Sequence, residues 1–260
     1  MEMSASDIDD IVTKRRDFLA ALCDDPATKP ELVDRLDTSR STVDRAIDDL
    51  EAYELVRRPA DHYELTMAGK AAYERHRNYL DELSAIGRAR EIIGSLSPEV
   101  PFSHELLADA EIELAEAHDP HQPLELAAEI MADATRLRKV TPAVFPICVE
   151  VLKERATDGL ALELVLHSDV LDAMLSRYGE DVTCLEREAH QLYELTEIPP
   201  YGLWVADTPD GQHVGLMPHS ETGIRGLIVT DDDDACQWGR EQYQHYRERA
   251  TSLETLSDRA

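Results

Sequence analysis

Apolar positions recur at helical spacing through the first third of the chain. Ile8, Ile11, Val12, Phe18, Leu19 and Leu22 predict a helix over Ile8–Cys23, which Asp24–Pro26 interrupts. Pro30 then opens a second, short helix, a position where proline is tolerated, with Leu32, Val33 and Leu36 as its apolar face. Asp37–Thr38–Ser39 forms a turn, and Ser39 is a good N-cap for a third helix over Arg40–Ala52. Val43, Ala46, Ile47 and Leu50 fall on one stripe of it. Leu55–Arg58 reads as a strand, Pro59–Asp61 turns, and His62–Leu65 returns. Thr66 caps a long helix over Met67–Ile93, and Gly94–Pro98 ends it.

From about Pro101 the pattern changes to short strands alternating with helices. Ile112–Ala115 predicts a strand and Leu124–Leu137 an amphipathic helix. Val140–Phe145 predicts a strand interrupted by Pro142, followed by a helix over Pro146–Ala156. Leu160–His167 is the clearest strand, and Ser168 caps a helix running through Leu171, Met174 and Leu175. Val182–Leu195 predicts another short helix. Three strands follow, over Tyr201–Ala206, His213–Met217 and Ile224–Val229, the first two joined by a hairpin at Asp210–Gly211. Cys236–Thr251 predicts a polar helix. No solenoid-length repeat is visible.

These elements predict an α/β chain (α+β overall) in three parts. Residues 1–66 form a small helical unit with a hairpin, residues 67–97 a linking helix, and residues 98–260 an α/β domain. The length of 260 residues agrees with about two domains.

Composition changes the picture in two ways. The chain holds 26 Lys and Arg against 54 Asp and Glu, a net charge of −28, and only five of its basic residues are lysine. An acidic, lysine-poor surface with few aromatics suits a protein kept hydrated in molar salt, and points to an extreme halophile. Such acidity reflects the solvent, so it does not argue against nucleic acid as net charge ordinarily would. Residues 1–77 hold 12 basic and 18 acidic residues, and the remainder 14 and 36, so the first part is the less acidic. No apolar run approaches the ~18 residues of a membrane span, and the acidic start MEMSASDIDDIV departs from a signal peptide; both predict a soluble, cytoplasmic protein.

Cys23, Cys148, Cys184 and Cys236 are scattered without a CxxC pair, which speaks against a zinc site or disulfide framework. His118-Asp119-Pro120-His121 has loose spacing and a proline, and reads as a solvated loop. Neither metal nor cofactor is expected.

The order helix, turn, helix, two-stranded wing over Thr28–Leu65, with Ile8–Cys23 before it, is that of a winged helix-turn-helix. Its third helix enters the DNA major groove, where N-terminal residues meet base edges and phosphates. Ser39, Ser41 and Thr42 are small enough for close approach. Arg40 and Arg45 suit phosphate or guanine, Asp44 a cytosine amine, and Arg57, Arg58 and His62 wing contacts. Ala71, Ala72, Leu80, Leu83 and Ile86 give the long helix an apolar stripe, read as a homodimer contact that spaces two recognition helices ~34 Å apart. Packing against its own effector domain is the alternative.

Clefts in open α/β sheets form at the carboxyl ends of strands. His167, Ser168, His219, Ser220, Glu221 and Arg225 stand at or near such ends, and Tyr201 and Trp204 offer an aromatic wall for a small-molecule effector. Ser168 also fits an N-cap and Trp204 a core position, and both readings stand at this point.

Thr28–Leu65 resembles the winged-helix domains of archaeal transcription regulators. The segments LELVLHSDVLDAMLSRYGEDV, YGLWVADT, GLMPHSETGIRGLIVTDD and WGREQYQHYRER resemble a haloarchaeal and methanogen group with a methanogenesis-regulatory-protein middle domain. The layout is similar to that of TrmB-like sugar-sensing regulators, whose effector domain resembles the phospholipase D fold. The resemblance implies a dimeric, ligand-controlled regulator that binds double-stranded DNA. Phosphodiesterase chemistry of that fold needs His-x-Lys, whereas this chain has His167-Ser168-Asp169 and His219-Ser220-Glu221. The competing functions are a winged-helix protein-interaction module and a phosphodiesterase-like enzyme.

Overall fold

The computed structural model describes residues 4–178, 190–220 and 223–253. The chain divides into two compact units, Met1–Ser84 and Ala85–Ala260. The division falls inside the long helix predicted as a separate linking element.

In the first unit, α1 (Ala5–Asp24), α2 (Lys29–Arg35) and α3 (Arg40–Ala52) are followed by β1 (Val56–Arg57), β2 (Glu64–Leu65) and α4 (Met67–Ile93). Ser4 and Asp7 form a reciprocal capping box at α1, and Thr28 and Glu31 another at α2. Each holds its acid below the usual carboxylate range through backbone and side-chain hydrogen bonds. The C-terminus of α3 closes as a Schellman motif. Glu54 takes a positive φ of 56°, Leu55 N donates to Leu50 O, and Glu54 N donates to Glu51 O.

The wing gains a third strip of backbone, because Ala27 and Tyr63 exchange hydrogen bonds of 3.0 and 2.8 Å. Thr66 Oγ1 accepts from Gly69 N at 3.0 Å and donates to Glu54 O at 2.7 Å, tying the start of α4 to the start of the wing. Gly69 is needed there, since a Cβ would sit 2.0 Å from Leu55 O. Phe18, Leu19, Leu22, Leu32, Ile47 and Leu50 centre the core of this unit.

The second unit is built on a mixed sheet in the order β11-β6-β5-β4-β7-β8-β10-β3. Its strands are β3 (Glu111–Leu114), β4 (Arg136–Thr141), β5 (Ala161–His167), β6 (His190–Leu195), β7 (Tyr201–Thr208), β8 (Gly211–Ser220), β10 (Gly226–Thr230) and β11 (Thr251–Leu253); short β9 (Gly223–Ile224) pairs only with β8. The β4–β5 and β5–β6 pairs are parallel and the others antiparallel. Helices α5 (Gln122–Ala132), α6 (Pro146–Thr157) and α7 (Ser168–Tyr178) cover one face through Leu124, Met131, Leu152 and Leu171. Helix α8 (Asp233–Arg249), capped by Asp232, covers the other through Ala235, Cys236, Tyr243 and Tyr246. Burial among these side chains pushes the Cys236 thiol up to about 11.

Three expectations change. The helix predicted to Leu137 stops at Ala132, and Arg136–Thr141 is a strand between β5 and β7. Asp133 caps α5, and Thr135 N donates 2.7 Å to Asp207 O, which starts the β4–β7 ladder. The helix predicted over Val182–Leu195 is a strand from His190 onward, hydrogen-bonded to both β5 and β11; residues 182–189 lie outside the described residues. Ser168 is the first residue of α7 and not its cap. Its Oγ donates 2.6 Å to Glu194, and the His167 ring accepts from Asp169 N at 3.1 Å instead.

Candidate nucleic-acid interface

Helix α3 buries Val43, Ala46, Ile47 and Leu50 and turns Arg40, Ser41 and Arg45 to solvent. Ser39 caps it, accepting from Thr42 N at 3.2 Å, and its hydroxyl links to those of Ser41 (2.9 Å) and Thr42 (2.8 Å). These hydroxyls form one polar patch at the helix N-terminus, beside the positive end of its dipole. Arg40 and Arg45 have no hydrogen bond or ion pair among the described residues. They are cations on an outward face, and Arg40 is close enough to Asp44 for its charge to help hold that carboxyl below its usual range.

The other predicted contacts are partly engaged. Asp44 Oδ1 accepts from Lys29 Nζ at 2.8 Å, which holds the Asp44 carboxyl below its usual range and the Lys29 ammonium above its own. Asp44 therefore anchors Lys29 and keeps only Oδ2 for an amine donor. Arg57 pairs with Glu64 across the wing at 2.6 Å, and Arg58 with Asp61 at 3.6 Å. Exposed pairs of this kind contribute little, so both guanidiniums can exchange partners cheaply. His62 is exposed at the hairpin.

Sequence reasoning missed Lys29. It lies 5.7 Å from the Tyr63 ring centre, and Arg58 lies 5.4 Å from the same ring, so Tyr63 gathers cations from α2 and from the wing. Lys29 was open to detection as a cation next to the proline of the helix that precedes α3. On the back of the unit, Asp49 accepts from Arg15 (2.6 Å) and Lys14 (3.0 Å), fixing α1 to α3.

The predicted effector residues do not form one site. Tyr201 and Trp204 lie on opposite faces of β7, as residues three apart in a strand must. Tyr201 is fully buried, shares a 2.8 Å hydrogen bond with Tyr246, and has its phenol pushed upward by burial. Trp204 is buried with α5, α6 and α7. His167 lines an open pocket at the carboxyl ends of β4, β5 and β6 with Pro142, Val170, Glu197 and Pro199. His219 is on β8, stacked on Phe145 at 5.6 Å. Arg225 is exposed, and its N–H donates 2.9 Å to Pro218 O. The side chain of Ser220, and Glu221 altogether, lie outside the described residues.

Residues 120–249 match the family described as methanogenesis regulatory protein FilR1, middle domain. The chain belongs to this family. The match spans α5 to the end of α8, which is most of the sheet unit. Residues 6–88 match a second description, HVO_A0261 N-terminal domain, covering α1 through most of α4. No curated protein matches the chain. Among solved structures, the archaeal chromatin protein TrmBL2 is similar over 90% of this chain and 91% of that one, at 13% identity and a TM-score of 0.44. Nuc, a phospholipase D family member from Salmonella typhimurium, covers 56% of this chain and 98% of its own at 9% identity and a TM-score of 0.44. NucT from Helicobacter pylori covers 55% and 97% at 13% identity and a TM-score of 0.40. Among the described residues no helix is long and apolar enough to cross a membrane.

Proposed function

We propose that this member of the FilR1 middle-domain family is a cytoplasmic, sequence-specific regulator of transcription that binds double-stranded DNA through α3. The observation that carries this is the pair of exposed guanidiniums of Arg40 and Arg45, which make no hydrogen bond or ion pair among the described residues, beside the hydroxyl patch of Ser39, Ser41 and Thr42. Lys29 and the wing arginines add phosphate contacts on either side. The protein acts as a homodimer. Tyr79, Leu83 and Ile86 lie along one stripe of α4 and are 53%, 44% and 43% exposed, an unusual concentration of apolar surface on a charged helix. The sheet unit responds to a small effector, and its differential affinity for two spacings of the recognition helices sets DNA affinity.

The test is a genomic pull-down from cells with the wild type and an Arg40→Ala/Arg45→Ala variant. Sharp peaks sharing a twofold-symmetric site, lost in the variant, are expected. Each lost bidentate base contact is worth about 1–3 kcal/mol. Unchanged peaks in the variant overturn the reading. A wild type without peaks moves the winged helix to protein binding.

The protein is not an enzyme in this reading. Both His-Ser-acid tripeptides put a carboxylate where phosphodiesterase chemistry needs a lysine to hold a phosphate oxygen. A generic phosphodiester such as bis(p-nitrophenyl) phosphate is therefore expected to survive prolonged incubation. Turnover that copurifies with the chain and disappears in His219→Ala contradicts this.

A further inference from the structure

Lys139 occupies the middle of the sheet. It stands on β4 directly opposite Leu164 of β5 and Trp204 of β7. Residues opposite one another on neighbouring strands share a face. Lys139 therefore shares the face covered by α5, α6 and α7 with Gly202 and Trp204 of β7 and with Met217 and His219 of β8. It is only 9% exposed. Among the described residues it has no hydrogen bond and no ion pair. Its neighbour Arg138, on the opposite face, has two carboxylates, Glu163 at 3.5 Å and Asp207 at 3.4 Å. An ammonium taken out of water without a counter-charge is one of the most costly features a core can hold.

A second buried donor on this face lacks an acceptor. Trp204 Nε1 is fully buried and makes no hydrogen bond among the described residues. Over 90% of buried polar groups are ordinarily satisfied. Two glycines shape the space around the pair. A Cβ on Gly215 would stand 2.2 Å from the Trp204 ring, so the indole lies against bare backbone. A Cβ on Gly202 would stand 3.4 Å from His219 Nε2, so the His219 ring lies across bare backbone of β7, as the indole does on β8. Burial and the charge of Lys139 push His219 down to about 4, so at neutral pH its ring is uncharged and offers one N–H. These polar groups are thus a cation and two N–H donors. Phe145 and Met217 supply apolar surface next to them.

We propose that the sheet unit binds the oxyanion of a small organic acid or phosphate ester between Lys139 and His219, with Lys139 as its counter-charge and the His219 N–H as hydrogen-bond donor. The apolar surface of Phe145 and Met217 holds the body of the molecule. The proposal names the chemical class of the effector in the reading above and rests on that reading for its regulatory meaning only. The binding itself stands on the geometry.

The test uses the full chain carrying Trp238→Phe, which leaves Trp204 as the single tryptophan. Emission is followed while inorganic phosphate, and separately succinate, is titrated at constant ionic strength. A saturable change with at least one probe is expected, at least tenfold weaker in Lys139→Met and retained in Lys139→Arg. If Lys139→Met does not fold by circular dichroism, Lys139→Gln carries the same comparison. No saturable change with either probe, or an unchanged midpoint once the charge is removed, overturns the site. DNA affinity is measured on the same samples. Anion binding that leaves DNA affinity unmoved upholds the site and overturns effector control. DNA binding without any anion binding overturns the site and leaves the DNA reading intact.

Discussion

His219 carries a pH dependence that belongs to one side chain. Its ring is held neutral, with a folded-state value near 4 against about 6.5 in an unfolded chain. Protonation therefore favours the unfolded state. The contribution is complete above about pH 6.5 and is lost as pH falls toward 4. His219→Phe keeps the stack on Phe145 and removes the proton site. Its unfolding midpoint should fall less steeply between pH 6.5 and 4 than the wild-type midpoint, the remaining fall belonging to paired carboxylates such as Asp44. Parallel profiles assign the slope to other groups. At this scale the sequence was partly legible. Helical period alone turns Arg40 and Arg45 outward, because Val43, Ala46, Ile47 and Leu50 claim the inner stripe. The pairing of Asp44 with Lys29 was not legible, because it joins residues from two helices whose docking no local pattern encodes. Reading Tyr201 and Trp204 as one wall overlooks the strand period of two, which sends them to different cores.

Helix α4 shows what an element adds beyond its residues. Its first turns pack Ala72 and Tyr73 into the core of the winged unit, and its last turns pack Ala85, Ala89 and Ile92 against Leu107 and Ile228 of the sheet unit. The exposed stripe through Tyr79, Leu83 and Ile86 belongs to neither core. Leu83→Glu places a charge in that stripe without disturbing either one. If the stripe joins two copies, sedimentation should show the dimer dissociation constant rising at least ~10-fold, about 1.4 kcal/mol, with the circular dichroism spectrum of the folded chain unchanged. A variant that stays dimeric places the contact elsewhere. The helices of the first unit were legible to within a few residues because their signals are local: Ser39, Thr66 and the Pro30 start. Strand β4 was not legible. Its residues continue the apolar spacing of α5, and only pairing with β5 and β7, distant in sequence, makes Arg136–Thr141 extended. Edge strand β11 has three residues and no pattern to read.

For the whole molecule, net charge governs how the proposed DNA binding responds to salt. An ordinary DNA-binding protein releases counterions from DNA and loses affinity steeply as salt rises. This chain carries −28 in all, and its surface must take up cations to lie against a second polyanion. Uptake opposes release. The plot of log affinity against log potassium chloride is therefore expected to be shallow or rising between about 0.5 and 3 M. A slope as steep as that of neutral DNA binders rejects the halophilic reading.

The sheet has a further consequence for how the chain is made. Among the described residues its first strand, β3, and its last, β11, form the two opposite edges, and β3 joins the sheet only through β10. A ribosome releases the winged unit early, with partners that lie near one another in sequence. The sheet stays incomplete until β10 and β11 have emerged. A chain cut short after β8 would expose a long, unpaired, apolar strand where β10 belongs, and such an edge recruits other chains. In the finished protein the Glu111 and Glu113 carboxylates on β3 and the brevity of β11 guard the two borders. Until β10 and β11 emerge, neither guard is in place, and the hazard falls on the nascent chain alone.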